Sequence, residues 1–107
     1  MKKIYLFCSA GMSTSMLASS MQKAAGDHNL DVEIKAYSEK VVNEIVETEN
    51  PDVIMLGPQV KYLFDNFSKR FGSARPVVQI KAEDYALANG PAVLKQAIVA
   101  LKSFEQK

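Results

Sequence analysis

The sequence predicts an α/β fold: an open four-stranded parallel sheet in the order 2-1-3-4, with helices on both faces. Three observations predict it. Short apolar runs alternate with longer stretches of helical spacing, the pattern of strands joined by crossover helices. Two runs, Ile4-Tyr5-Leu6-Phe7-Cys8 and Val53-Ile54-Met55-Leu56, are apolar throughout, as strands buried on both faces are. The other two, Val32-Glu33-Ile34-Lys35-Ala36 and Pro76-Val77-Val78-Gln79-Ile80, carry polar residues or a leading proline and suit the sheet edges. With the apolar pair inside and right-handed crossovers between parallel strands, the order follows.

Each element has its own signals. After the first strand and a turn of small residues, Leu17, Met21 and Ala24 recur at helical spacing, and Gly26-Asp27-His28-Asn29 ends that helix. Ser13, Thr14 or Ser15 is expected to cap it. Ser38 is the expected cap of a second helix that places Val41, Val42, Ile45 and Val46 on one side, and Asn50-Pro51-Asp52 stops it. Gly57-Pro58-Gln59 turns the chain into a third helix with Val60, Leu63, Phe64, Phe67 and Phe71 in its apolar stripe. Residues 81–89 read as loop with room for one helical turn. Gly90-Pro91 opens the last helix, proline first, with Val93, Leu94, Ala97, Ile98 and Leu101 inward, and the chain frays over Glu105-Gln106-Lys107.

Composition narrows the function. The chain has 107 residues, 48% of them hydrophobic, enough for one domain over 1–107 that buries roughly two-thirds of its unfolded surface. Lys and Arg number 13 against 12 acidic residues, so no strong field draws nucleic acid or an anionic membrane. A single cysteine, Cys8, excludes an intramolecular disulfide, and a single histidine, His28, excludes a Cys/His metal cluster. The apolar start after Lys2-Lys3 is shorter than the h-region of a signal peptide, about 7–15 residues, and no stretch is long enough to span a bilayer. A reduced, cytoplasmic protein is expected, with no cofactor and no metal.

The sheet order points to a site. It reverses between the first and third strands, and open α/β sheets bind ligands at the carboxyl ends of strands beside such a reversal. Two loops flank that point, the one after Phe7 and the one after Leu56; the first carries Cys8. There Cys8-Ser9-Ala10-Gly11-Met12-Ser13-Thr14-Ser15 leads straight into a helix. Small side chains let successive N–H groups converge into an anion-binding nest, and the helix amino end adds its dipole. A thiolate here is stabilised, its pKa expected below the ordinary value of about 8.5. The same donors suit a phosphoryl group on the sulfur.

The loop lacks the Gly-Lys-Ser/Thr of nucleoside-triphosphate loops. It resembles the cysteine loop of tyrosine phosphatases, but Thr14 stands where those loops place an arginine. No carboxylate lies in the loop to protonate a leaving group. A phosphocysteine formed here is therefore expected to hydrolyse slowly and to pass its group on. A small cysteine-dependent hydrolase or reductase of phosphatase-like fold is the alternative. A receiver-type signalling domain is disfavoured, since neither the first nor the third strand ends in aspartate.

These residues carry a family resemblance. Ile-Tyr-Leu-Phe-Cys-Ser-Ala-Gly-Met-Ser-Thr-Ser at 4–15 resembles the phosphorylation loop of the B component (enzyme IIB) of the bacterial phosphoenolpyruvate-dependent sugar phosphotransferase system, lactose/chitobiose/cellobiose branch. Leu-Gly-Pro-Gln-Val at 56–60, and Asp84-Tyr85 followed by Gly90 and an apolar helix, match in order and spacing; Ala86 departs, standing where members often have glycine. The resemblance implies a phosphocarrier. Cys8 would accept a phosphoryl group from a phosphohistidine of the A component, cradled by Ser9 to Ser15. It would pass the group to a sugar such as cellobiose, chitobiose or lactose in the membrane-embedded C component. The chain is expected to act as a monomer, with no nucleic acid and no insertion into the membrane.

Other residues have blander readings. Gln59 sits beside the Cys8 loop and is expected either to cap the third helix or to contact the phosphoryl group; Tyr85 is expected to pack, with a loop contact as the alternative. Met12 and Met16 suit core or partner docking. His28 lies in a polar turn and is expected to be solvated. Lys2, Lys3, Lys69, Arg70 and Arg75 are expected to be ordinary surface charge.

Overall fold

A computed structural model describes residues 1–9 and 12–106, the side chains of Met12 and Ser13 excepted. The elements are β1 (Lys2–Cys8), α1 (Met12–Asp27), β2 (Val32–Ser38), a 3₁₀ turn (Glu39–Val41), α2 (Val42–Glu49), β3 (Val53–Leu56), a 3₁₀ segment (Pro58–Leu63), α3 (Phe64–Phe71), β4 (Val77–Gln79), α4 (Ala82–Ala86) and α5 (Gly90–Glu105). Among the described residues the sheet has four strands in the order β2-β1-β3-β4, all paired parallel. This is the order expected from the apolar runs.

Helices cover both faces because the strand residues alternate between them. Ile4, Leu6 and Cys8 of β1, with Val53 and Met55 of β3, pack with Leu17 and Met21 of α1 and Val93, Leu94 and Ala97 of α5. Tyr5, Phe7, Ile54 and Leu56 face the other way, onto Val42 of α2, Val60 of the 3₁₀ segment and Phe67 of α3. Each fully buried side chain of this size contributes about 1.5–3 kcal/mol relative to exposure. The edge of β2 is covered by a side chain: Gln22 Nε2 donates to Val32 O at 2.9 Å and Gln22 Oε1 accepts from Ile34 N at 2.8 Å. Those are the bonds a neighbouring strand would otherwise make, so the clamp protects part of an open edge.

Several expectations change in detail. Helix α1 begins at Met12, which puts Thr14 and Ser15 inside its first turn, while the capping expected of Ser13 falls on a side chain outside the described residues. Ser38 does cap, accepting from Lys40 N at 3.2 Å, but it caps a 3₁₀ turn that precedes α2. The third helix is two pieces: a 3₁₀ segment broken at Val60 (φ −120°, ψ 25°), then α3. Pro58 leaves no N–H at the start of this segment, and the kink lets Val60 reach the core ahead of the Phe67 face. Residues 81–89 hold the helix α4. In α5 the cap is Asn89, whose side chain accepts from Ala92 N at 3.2 Å, and Pro91 takes the second position after Gly90. A side chain at position 90 would run into α1: a Cβ there would stand 2.4 Å from the Ser20 carbonyl carbon.

The charges are less ordinary than expected. Arg75 is buried, its Nη2 donating to Asn50 Oδ1 at 2.6 Å, while its Nε has no hydrogen-bond partner among the described residues. Lys3 is half-buried and bonds the Glu49 backbone oxygen at 3.1 Å and its carboxylate at 3.3 Å. Lys2 pairs with Glu105 at 3.3 Å on the surface, and of the end expected to fray Lys107 lies outside the described residues. The Arg70 guanidinium lies over the Phe71 ring at 4.7 Å. Lys69 and His28 are exposed, as expected. No helix is long and apolar enough to cross a membrane among the described residues.

Candidate functional site

The geometry of the site follows from where β1 and β3 end. Both are central, and their carboxyl ends lie side by side, Phe7 in register with Leu56 and the Gly57 N–H donating to Phe7 O at 2.9 Å. Cys8 is thus set at the reversal of strand order, opposite Ser38 on its other flank. Its side chain is buried, at 1% exposure. Only three residues separate it from the start of α1, whose first turn carries no acidic side chain to offset the helix dipole.

Three further segments converge on the sulfur. From the 3₁₀ segment after β3, Gln59 Oε1 accepts a hydrogen bond from the Cys8 thiol at 3.1 Å. From α4, the Tyr85 hydroxyl stands 3.7 Å from Sγ. From α1, Thr14 Oγ1 lies 2.7 Å from that same hydroxyl, and Thr14 is buried at 3% exposure. Gln59 itself is exposed. Burial pushes the Tyr85 phenol above its ordinary value, partly offset by the bond with Thr14, while the neighbouring thiol pushes it further up. Tyr85 is therefore a neutral hydroxyl at ordinary pH, able to donate one hydrogen bond and accept others.

Gly57 is what allows these groups to meet. Its backbone is an ordinary extended one (φ −68°, ψ 157°). Space is the constraint: a Cβ there would stand 2.8 Å from Cys8 Sγ, 3.3 Å from Cys8 Cβ and 3.2 Å from Gln59 Oε1. In the sequence this glycine reads as part of a turn and of the Leu-Gly-Pro-Gln-Val motif at 56–60, neither of which shows its closeness to the thiol. The signal that marks it is its place directly after an all-apolar strand, beside the loop of the lone thiol.

Of the residues expected at the site, the structure brings Cys8, Thr14, Gln59 and Tyr85 together. Ser9 and Ser15 are exposed. Ala10 and Gly11 lie outside the described residues, as do the side chains of Met12 and Ser13, so the cradle expected over Ser9 to Ser15 is described only in part. Met16 is exposed, at 60%, and does not belong to the core. Thr14 has a use that residue type and spacing do not reveal: its hydroxyl holds Tyr85, a partner 71 positions away. Among the described residues no group of three or more His, Cys, Asp or Glu side chains converges to hold a metal ion.

The family model described as "PTS system, Lactose/Cellobiose specific IIB subunit" matches residues 3–96. The PTS system cellobiose-specific EIIB component of Lactococcus lactis subsp. lactis is 42% identical over 100 residues, spanning 90% of this chain and 93% of the relative. The PTS system oligo-beta-mannoside-specific EIIB component of Bacillus subtilis is 32% identical over 101 residues, spanning 92% and 94%. Among solved structures, the cellobiose-specific phosphotransferase IIB component of Borrelia burgdorferi superposes with a TM-score of 0.76 at 34% identity, covering 95% of this chain and 93% of that one. The lactose-specific IIB component domain of Streptococcus pneumoniae gives a TM-score of 0.78 at 17% identity, covering 92% and 96%, a likeness of fold.

Proposed function

The chain belongs to the lactose/cellobiose-specific IIB subunit family of the sugar phosphotransferase system, and from that premise we propose that residues 1–107 act as one phosphocarrier domain working through Cys8. In the first step the Cys8 thiolate attacks the phosphorus of a phosphohistidine on the A component. The S–P bond forms as the N–P bond breaks, and the imidazole nitrogen keeps the electron pair and takes up a proton. In the second step a sugar hydroxyl, held by the membrane-embedded C component, attacks the phosphocysteine. The O–P bond forms, the S–P bond breaks, the hydroxyl proton is released and the thiolate returns.

The observation that carries this reading is the place of the sulfur: at the strand-order reversal, directly before the amino end of α1, with Gln59 and Tyr85 in contact. Backbone N–H groups of the loop from Ser9 to Ser15 would stabilise the equatorial oxygens of a loose transition state. The described side chains around the sulfur are neutral amide and hydroxyl groups, which suit holding a phosphoryl group and passing it on. The sugar is taken to be a disaccharide of the cellobiose, chitobiose or lactose kind, and the work is done in the cytoplasm by a monomer without metal or cofactor.

The test is incubation with the phosphorylated A component followed by intact-mass measurement. A stable gain of one phosphate, absent in Cys8→Ser, is the expected result. Rapid release of inorganic phosphate would move the assignment to a hydrolase. No uptake from a matched donor would overturn the carrier reading altogether.

A further inference from the structure

The contact between Gln59 and Cys8, as it stands, suits the protonated thiol. In the described geometry the thiol donates to Gln59 Oε1 at 3.1 Å. Remove that proton and an amide oxygen, which can only accept, faces an anionic sulfur at the same distance. The contact then turns from a hydrogen bond into a repulsion between like partial charges. The amide can resolve this without leaving its place. A half-turn of its terminal group exchanges Oε1 for Nε2, and Nε2–H donates to the thiolate. Gln59 is exposed as a residue, while its amide also bonds the Tyr85 hydroxyl, so the half-turn exchanges oxygen and nitrogen between the sulfur and that hydroxyl.

The second contact has the same two-way character. The Tyr85 hydroxyl is 3.7 Å from Sγ and 2.7 Å from Thr14 Oγ1. It carries a single proton. Pointed at Thr14, that proton leaves the phenol oxygen as an acceptor toward the thiol; pointed at the sulfur, it stabilises a thiolate while Thr14 donates to the phenol oxygen in return. Both hydroxyls rotate without moving a heavy atom. The phenol stays neutral through the range in which a thiol titrates, because burial holds its own ionisation high.

We propose that Gln59, supported by the Tyr85–Thr14 hydroxyl pair, is an amide switch that sets the ionisation of Cys8: its oxygen accepts from the thiol, and its nitrogen donates to the thiolate and, by the same turn, to a phosphoryl oxygen on the sulfur. The inference rests on Cys8 being the phosphoryl carrier for its biological meaning, though not for its chemistry. The described groups near Cys8 enter the balance: Gln59 from the 3₁₀ segment, Tyr85 from α4 and, through that hydroxyl, Thr14 of α1, with Ser38 of β2 beside Cys8 in register. Of these described groups, Tyr85 is the titratable one. Replacing the amide by a carboxylate of the same shape removes the donor state and keeps the acceptor state. Gln59→Glu is therefore the informative variant, and the exposed position tolerates it in folding.

The experiment follows alkylation of Cys8 by iodoacetamide against pH, read by intact mass, which is unambiguous because the chain has a single cysteine. A side-chain amide NMR titration runs in parallel. The expected result is an alkylation midpoint raised by about one pH unit in Gln59→Glu, roughly tenfold slower labelling below both midpoints, with the high-pH plateau unchanged. Tyr85→Phe is expected to raise the midpoint by less. The Gln59 side-chain NH₂ resonances should shift with the midpoint of Cys8 in the native protein and lose that shift in Cys8→Ser. An unmoved midpoint in Gln59→Glu, in a variant whose thermal melt matches the native protein, overturns the proposal, as does a Gln59 amide blind to the Cys8 titration. Neither readout uses a phosphoryl donor. Failure of phosphoryl uptake from the A component would thus refute the carrier function while leaving the switch standing, and the reverse outcome would do the opposite.

Discussion

Two glycine-to-alanine changes in this chain should move stability in opposite directions, and the difference can be worked from the geometry. At Gly57 the backbone is extended (φ −68°, ψ 157°) and accepts alanine without strain. Alanine there gains about 0.4–1 kcal/mol by restricting the unfolded chain. Against this, its methyl would stand 2.8 Å from Cys8 Sγ and 3.2 Å from Gln59 Oε1, well inside van der Waals contact. Gln59 is exposed and can swing away, but Cys8 is buried in the end of a central strand and cannot. Overpacking of this kind costs about 1–3 kcal/mol, so the clash wins by about 1–2 kcal/mol. That corresponds to a Tm lower by about 5–15 °C in a domain of this size. At Gly26, in the last turns of α1, a Cβ meets nothing within 4 Å. The same change there should stabilise by about 0.5–1 kcal/mol through helix propensity and the unfolded state. Thermal melts by far-ultraviolet circular dichroism read both variants, and Cys8 alkylation reports the local effect. A Gly57→Ala protein as stable as the native one, labelled at the native rate, refutes the close approach of the β3 end to the thiol.

Other consequences follow from single contacts. Thr14→Val removes the 2.7 Å partner of the Tyr85 hydroxyl and is expected to cost about 1 kcal/mol in urea unfolding, and a variant of native stability would show that this bond is replaced. Asn50 ends α2 with φ 48° and also accepts from the buried Arg75 guanidinium. Asn50→Gly keeps the left-handed turn but loses that bond, for an expected loss of about 1.5–3 kcal/mol; Asn50→Ala loses both and should fall further by about 1 kcal/mol, an order that equal midpoints would contradict. Glu33 accepts from the Tyr5 hydroxyl at 2.5 Å, which holds its carboxyl below the ordinary 4.5, with Lys35 and Lys3 adding to the effect. A lowered folded value means that the unfolded chain takes up the proton first as pH falls. The stabilisation is present above that ordinary value and disappears as pH drops through the folded one. Glu33→Gln should therefore flatten the acid side of a stability–pH curve measured by urea unfolding, and an unchanged slope would remove Glu33 from that account.

Much of the scaffold is legible in the sequence because it depends on composition along short stretches. An uninterrupted apolar run such as Val53-Ile54-Met55-Leu56 has no polar face to show water, so it belongs inside a parallel sheet, and the order β2-β1-β3-β4 follows from two such runs. Ser38 and Asn50 are readable as helix boundaries because capping and left-handed turns are decided by one or two residues. Boundaries set by competition are not. Whether α1 starts at Met12 or after Ser13, and whether the segment after Pro58 coils as 3₁₀ or α, depends on what the ends pack against. Arg75 looks like any surface cation until the fold brings Asn50 to it.

For the site the division is sharper. The sequence by itself determined that this small, nearly neutral chain carries one thiol at the end of a central strand, followed by small residues and a helix start. Those are local properties, set by residue type and spacing. Only the tertiary structure decided what surrounds that thiol. Thr14, the Gly57–Gln59 turn and Tyr85 come from three separate segments of the chain, and their meeting beside one sulfur depends on strand order, crossover packing and the absence of a single methyl at Gly57. The physical reason is range: backbone propensity acts over a few residues, whereas hydrogen bonds and close packing act between whatever the fold brings within about 3–4 Å.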